Sequence, residues 1–323
     1  MPKLKIIFMG TSAFAVPTLK ELLNSPLYSV SVCTCPDCLC GRGLKLTCSE
    51  VKNFVLKNYP KTPLFWPENF KEACSLEQVK KEKPDLIVVA SYGIILPEAV
   101  LKIPRWGCLN IHPSLLPKYR GPAPIQAAIF NQDKETGVTI IKLDSRMDAG
   151  DILNQKSVSL SPEITFEKLH NELSELGAKM LMETILSYCE GKIKPKKQEE
   201  EKATYTKLIK KEDGLIDWQK DSAEIDAQIR ALNPWPKTYT FFLDSKKEKK
   251  RLNIIRTKTA KDSTPSNGLP PGTILKPNKN NPFSFVVTRN GQLLTEIVQP
   301  EGKKPMPAND FFRGQPNLTC FIV

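Results

Sequence analysis

The chain has 323 residues, 40% apolar and 25% charged, a balance that excludes wholesale disorder and lets a full hydrophobic core form without disulfide or metal staples. No stretch reaches the ~18 uninterrupted apolar residues of a membrane span, and residues 1–10 carry too short an apolar run for a secretory signal; the expectation is a cytoplasmic protein with no membrane partner. The net charge of +12 is uneven: residues 1–190 hold 22 basic and 20 acidic side chains, and residues 191–323 hold 25 and 15. A near-neutral front and a basic back suggest two jobs, the second involving a polyanion. The competing reading is a lysine-rich solvated surface.

Leu4 to Met9 is apolar apart from Lys5 and stops at Gly10, the pattern of a strand buried on both faces. Pro17 suits the first turn of a helix whose inner stripe is Val16, Leu19, Leu22 and Leu23. Further strands are predicted over residues 28–33, 86–90 and 107–111, with helical stretches between them. That alternation predicts an α/β, Rossmann-like doubly wound and mostly parallel sheet. Two more extended segments fall at 137–143 and 152–160. A long helix starts near Thr165, with Phe166, Leu169, Leu173, Leu176 and Met180 at helical spacing and a stop at Gly191. Residues 191–208 are polar, rich in opposed charge, and predicted to be a linker. After a helix from Ser222, residues 209–323 break into short strands, with Asn290-Gly291 marking a hairpin. These point to a small OB-like β-barrel. The predicted domains are therefore 1–190, a linker at 191–208, and 209–323.

The first strand ends in a single glycine, and no Walker A sequence is present, which argues against nicotinamide, flavin and ATP as ligands. The segment most loaded with chemistry is Asn110-Ile111-His112-Pro113-Ser114-Leu115-Leu116-Pro117-Lys118-Tyr119-Arg120-Gly121. Asn110 and His112, two apart on a strand, face the same way at its carboxyl end, where open α/β sheets bind ligands. An amide beside an imidazole suits a developing oxyanion. A carboxylate is needed to orient the imidazole. Asp148 is the best candidate, and Asp144 and Asp151 are rivals that spacing does not exclude. For any one histidine, a structural role in a turn is the plainer alternative; His170, on a helix, is read that way.

The chain resembles the methionyl-tRNA formyltransferase family through this segment, through Ile6-Ile7-Phe8-Met9-Gly10-Thr11 and through Met147-Asp148-Ala149-Gly150-Asp151. In its back half the likeness rests on Ile216-Asp217-Trp218, Arg230-Ala231-Leu232-Asn233-Pro234-Trp235-Pro236 and Gln299-Pro300-Glu301-Gly302-Lys303-Lys304. The resemblance implies an enzyme that passes the formyl group of 10-formyltetrahydrofolate to the α-amino group of charged initiator methionyl-tRNA. It implies catalysis by Asn110, His112 and Asp148, with His112 protonated, a folate site at Ser114, Leu115, Leu116 and Pro117, no metal, and a monomer. Arg42 and Lys45 would meet tRNA in the loop after the second strand. On the barrel, Lys246, Lys247, Lys249, Lys250 and Arg251 would track its phosphates, with Arg256, Lys258, Lys303 and Lys304 adding to them. The alternatives are a folate-dependent formyltransferase acting on a sugar nucleotide or small amine, and a tRNA-binding protein without catalysis.

The sequence departs from the family pattern in three places. Cys33, Cys35, Cys38, Cys40 and Cys48 crowd the loop after the second strand, and Cys38 stands where a positive charge is expected. Free thiols are the reading for this cluster, with a zinc clip as the competitor, because the Cys-x-Cys gaps are tighter than zinc sites favour. The last four residues, Cys320-Phe321-Ile322-Val323, fit a prenylation pattern that is read as chance. Lys237 follows Trp235-Pro236 where the family often has glycine.

Overall fold

The computed structural model describes residues 3–40, 45–70, 72–260, 268–277 and 282–322. In chain order the strands are β1 Leu4–Gly10, β2 Tyr28–Cys33, β3 Cys38–Cys40, β4 Lys45–Thr47, β5 Leu64–Phe65, β6 Leu86–Ala90, β7 Cys108–His112, β8 Glu135–Lys142, β9 Asp151–Ser159, β10 Thr238–Leu243, β11 Lys249–Thr259, β12 Ile274–Leu275, β13 Phe285–Val287, β14 Gln292–Pro300 and β15 Met306–Pro307. The helices are α1 Val16–Asn24, α2 Glu50–Asn58, α3 Ala73–Glu82, α4 Glu98–Leu101, α5 Pro124–Phe130, α6 Phe166–Cys189, α7 Ser222–Leu232 and α8 Ala308–Arg313. None of the helices among the described residues is long and apolar enough to cross a membrane.

Two compact units result. The first is Met1–Pro124, Glu135–Ser159 and His170–Thr206, and the second is Ile125–Lys134, Leu160–Leu169 and Lys207–Val323. This division differs from the predicted one at three points, the first being residues 125–134, which join the second unit. Residues 160–169 join the second unit, where Arg230 Nη1 donates to the Ile164 carbonyl at 2.9 Å. Residues 191–206, predicted to be linker, are built into the first unit. Lys196 pairs with Ile152 and Tyr205 with Arg120.

In the first unit the sheet order is β5-β2-β1-β6-β7-β8-β9. The pairs β1·β2, β1·β6, β2·β5 and β6·β7 are parallel, and β7·β8 and β8·β9 are antiparallel. The near-continuous apolar reading of β1 follows from its place inside the sheet, between β2 and β6: Ile6, Ile7, Phe8 and Met9 are all buried. Ile7, Met9, Cys33, Ile87 and Val89 pack on one side against Val79 and Val100 of the flanking helices. On the other side α6 ties to the chain before α1, with Ser174 Oγ donating to the Phe14 carbonyl at 2.7 Å. Register sets Val89 beside Asn110, so the carboxyl ends of β6 and β7 open together. The ladder β3·β4, which pairs Cys38 with Thr47, was not legible in the loop sequence.

The second unit is an antiparallel sheet of order β10-β11-β14-β13-β12, with β15 on β14. Bridges Phe241↔Ile322 and Thr273↔Cys320 join β10 and the chain at β12 to the same terminal segment. Residues 320–322 thus link the two edges of the sheet, which satisfies edge groups that would otherwise be unpaired. Trp218 stacks on Phe321 at 5.3 Å between centroids and donates from its indole nitrogen to Thr240 Oγ1 at 3.0 Å. Ile225 and Ile229 of α7 close that core. A capping box between Asp221 and Glu224 starts the helix. The predicted hairpin turn is present, with Gly291 at φ +91°.

Candidate active site

The site is assembled by β7 and by two loops, one at residues 113–123 and the other at residues 143–150. Asn110 and His112 leave the carboxyl end of β7 on one face, as period 2 requires. Their partner strand β8 supplies Thr139 opposite His112. Thr139 is buried, donates to the Ser114 carbonyl at 2.6 Å and accepts from the Leu116 N–H at 3.1 Å, which fixes the start of the first loop. Gln155 of β9 completes the brace by donating to the Leu116 carbonyl at 2.9 Å.

Asp148 is the carboxylate brought to the pair. Its Oδ1 lies 3.5 Å from Asn110 Nδ2 and 3.6 Å from His112 Nδ1. Its Oδ2 accepts from the Gly121 N–H at 2.8 Å. The rivals sit elsewhere: Asp144 is occupied by Arg146, at 3.0 Å, and Asp151 opens β9. The two contacts at Oδ1 are longer than the ~2.9 Å of a settled N–H···O bond. Such slack is expected of a catalytic cluster before substrate tightens it. His112 Nε2 faces the Tyr119 carbonyl at 2.9 Å. Both ring nitrogens therefore face oxygen atoms, Nε2 at hydrogen-bonding distance and Nδ1 at a looser one.

Backbone geometry holds the acid. Asp148 sits at φ +49°, in the left-handed region that aspartate tolerates better than most residues. Two residues on, a Cβ at Gly150 would run into the Lys142 carbonyl, so only glycine fits. Gly121, which donates to Asp148, is at φ +110° and has Thr206 against it.

Residues 196–206 supply groups that sequence reasoning missed. Arg120 is 1% exposed. Its guanidinium meets Glu200 at 2.8 Å, the Tyr205 hydroxyl at 3.1 Å and Gln198 Oε1 at 2.9 Å. The Arg120 contact holds the Glu200 carboxyl below its usual range. Thr204 Oγ1 accepts from the Tyr119 N–H at 2.8 Å. Arg120 lay within a quoted motif, and a buried arginine demands partners. Gln198 lies in a Lys/Glu run with no periodicity, so no local signal marks it.

The segment predicted to bind folate divides in two. Ser114 and Leu116 are buried, with Ser114 Oγ donating to the Lys118 carbonyl at 2.6 Å, while Leu115 and Pro117 are half-buried.

The sequence pattern of the formyl transferase family matches residues 4–185, and that of the formyl transferase C-terminal domain matches residues 208–316. A methionyl-tRNA formyltransferase of Methylacidiphilum infernorum is 42% identical over 314 residues, 96% of this chain and 95% of that protein. The chain belongs to the methionyl-tRNA formyltransferase family. The corresponding protein of Citrifermentans bemidjiense is 39% identical, covering 97% of this chain and 94% of its own length. The crystal structure of an N-formyltransferase from Helicobacter canadensis, in complex with folinic acid and dTDP-3-aminofucose, shares the fold. Its TM-score is 0.66, with 18% identity, 92% of this chain and 99% of that one covered.

The basic residues that the family resemblance assigned to tRNA do not share one face. Alternation on β10 and β11 puts Lys249 and Arg251 outward with Phe241 and Tyr239. The Lys249 ammonium stands 4.2 Å from the Phe241 ring centroid and the Arg251 guanidinium 3.6 Å from that of Tyr239. Lys250 falls on the opposite face and pairs with Glu248, which raises its pKa. Lys246 and Lys247 are exposed in the turn before β11, while Arg256 and Lys258 both pair with Glu296. Lys45 opens β4, and Arg42 lies outside the described residues.

The cysteine-rich loop characteristic of this family member is anchored at its base. Cys33 Sγ meets the Tyr92 hydroxyl at 3.1 Å, and Cys35 Sγ donates to the Tyr92 carbonyl at 3.1 Å. Burial pushes the Cys33 thiol up to about 12. Cys48 is raised as well, first by burial and then by its bond to Asp37. Among the described residues no three or more His, Cys, Asp or Glu side chains gather as a metal group.

Proposed function

We propose that this chain transfers the formyl group of 10-formyltetrahydrofolate to the α-amino group of initiator methionyl-tRNA. The observation that carries the reading is the convergence of Asn110 Nδ2 and His112 Nδ1 on one carboxylate oxygen of Asp148, in a chain of this family. The free amine, whose pKa is near ~8, keeps a usable neutral fraction at pH 7. Its lone pair attacks the formyl carbon, and the carbonyl electrons move onto oxygen. Asn110 Nδ2 and His112 Nδ1, whose contacts to Asp148 are long at 3.5 and 3.6 Å, donate to that oxyanion. Asp148 orients His112 and relays the proton lost by the amine to the departing folate nitrogen as the C–N bond breaks. Leu115 and Pro117 offer apolar surface for the folate, and the buried Ser114 and Leu116 hold the loop that presents them. Two cations lying on aromatic rings, at Lys249 and Arg251, form the face of the second unit that meets tRNA.

Labelled 10-formyltetrahydrofolate incubated with charged tRNA places label on the methionyl amine and leaves a dTDP-amino sugar unlabelled. Label on the sugar alone overturns the assignment of the acceptor. Asn110→Ala lowers kcat by about 10²- to 10³-fold, the effect of losing one oxyanion donor, and Asp148→Ala also abolishes most turnover. Both variants keep their affinity for tRNA in filter binding; wild-type turnover in either removes the mechanism.

A further inference from the structure

We propose that Gln198 is a positioning residue for catalysis: its amide sets the backbone that carries Asp148. The inference rests on Asp148 acting as described above. A glutamine amide has two N–H donors and an oxygen with two lone pairs. Here all four are used. Nε2 donates to the Asp148 carbonyl at 2.8 Å and to the Gly150 carbonyl at 2.7 Å. Oε1 accepts from Arg120 Nε at 3.1 Å and Arg120 Nη2 at 2.9 Å. The amide thus bridges the two loops of the site. One loop bears Asp148. The other bears Tyr119, whose carbonyl faces His112 Nε2, and Gly121, whose N–H holds Asp148 Oδ2.

The geometry asks for this brace. Asp148 is held in the left-handed region, and its carboxylate contacts to Asn110 and His112 are 3.5 and 3.6 Å long. Those contacts are too slack to hold the loop themselves. Gln198 is 9% exposed, so water competes little for its four bonds. Only the amides of Asn and Gln offer two donors and two acceptor sites in one planar group, so the position is selective for an amide. Gln198 does not touch the reacting centre; it acts only through Asp148 and the loops.

The discriminating variant is Gln198→Glu. Glutamate still accepts from Arg120, and gains an ion pair with it, but turns an oxygen toward the carbonyls of Asp148 and Gly150. A purely structural role, anchoring Arg120, is rescued by glutamate. A positioning role is not. The expected result is a kcat about 10- to 100-fold below wild type, the range for losing an outer-shell partner, with KM for folate and for methionyl-tRNA within about threefold. Gln198→Ala is measured alongside it, each variant assayed well below its own melting midpoint, so that both are folded. A cycle with Asp148→Asn gives the second reading: Gln198→Glu added to Asp148→Asn costs less than about threefold, because the group it positions is already gone. Wild-type kcat in Gln198→Glu overturns the proposal. So does a full additional loss in the Asp148→Asn background. If Asp148→Asn itself keeps wild-type turnover, what fails is the role of Asp148, and that outcome is distinct from the other two.

Discussion

Lys237 illustrates how a single backbone angle explains a departure from family habit. It sits at φ +71°, where glycine carries no Cβ penalty and a lysine costs roughly 1–2 kcal/mol. Its ammonium recovers part of that cost by donating to Gln299 Oε1 at 2.8 Å. Lys237→Gly is expected to raise stability by up to about 1 kcal/mol, read as a higher urea midpoint at unchanged slope; a lower midpoint contradicts the strain account. Cys33 provides a second residue-scale test. Its pKa of about 12 leaves very little thiolate at pH 8, and the fraction grows about tenfold for each pH unit up to that value. Iodoacetamide at pH 8 is expected to spare Cys33 while modifying the exposed Cys74, as mapped by peptide mass spectrometry.

At the scale of elements, two segments carry more of the structure than their composition suggests. Residues 196–206 read as a charged linker, yet they stitch the loops of the site through Gln198, Glu200 and Thr204. Glu200 is held below its ordinary value by Arg120, so the stabilisation from this pair is complete above about pH 4.3 and is lost as pH falls through the lowered value. Hydrogen exchange of residues 196–206 is therefore expected to be flat from pH 7 to 5, after correction for the intrinsic rate, and to rise only below pH 4. Arg120→Ala removes that difference. The terminal segment is the other case. Its Cys320-Phe321-Ile322-Val323 pattern resembles a lipidation signal, but Phe321 is 3% exposed and stacked on Trp218. Phe321→Ala is expected to cost about 3–5 kcal/mol in denaturant unfolding. A loss under 1 kcal/mol contradicts the role of this segment in the barrel.

For the whole molecule, the charge asymmetry is the relevant quantity: the last 133 residues hold 25 basic and 15 acidic side chains. If that excess meets tRNA, the affinity falls steeply with salt, by about 0.7–0.9 in log–log slope for each phosphate neutralised. Lys249→Ala and Arg251→Ala are each expected to reduce the slope by about 1. Lys250→Ala leaves it nearly unchanged, because Glu248 already balances that charge. Filter binding between 50 and 300 mM salt, in ~ steps of 50 mM, separates these outcomes; equal effects of all three substitutions contradict the division of the strand into two faces.

What the sequence determined by itself was whatever rests on short-range pattern. Continuous apolar runs gave the buried parallel strands, period 3.6 gave α6 and α7, and Asn110 and His112 two apart on one strand had to share a face. The choice of Asp148 over Asp144 and Asp151 was left open by spacing, and only the tertiary structure made it, by setting Gly121 and Arg146 where each meets a different carboxylate. The same holds for Gln198, whose partners lie 48, 50 and 78 residues away, and for the split of Lys249 from Lys250, which depends on what each strand face meets. Local composition encodes which element forms, because its cause is the chain's own periodicity. It does not encode which distant backbone group a polar side chain will satisfy, because that partner exists only once the chain has folded.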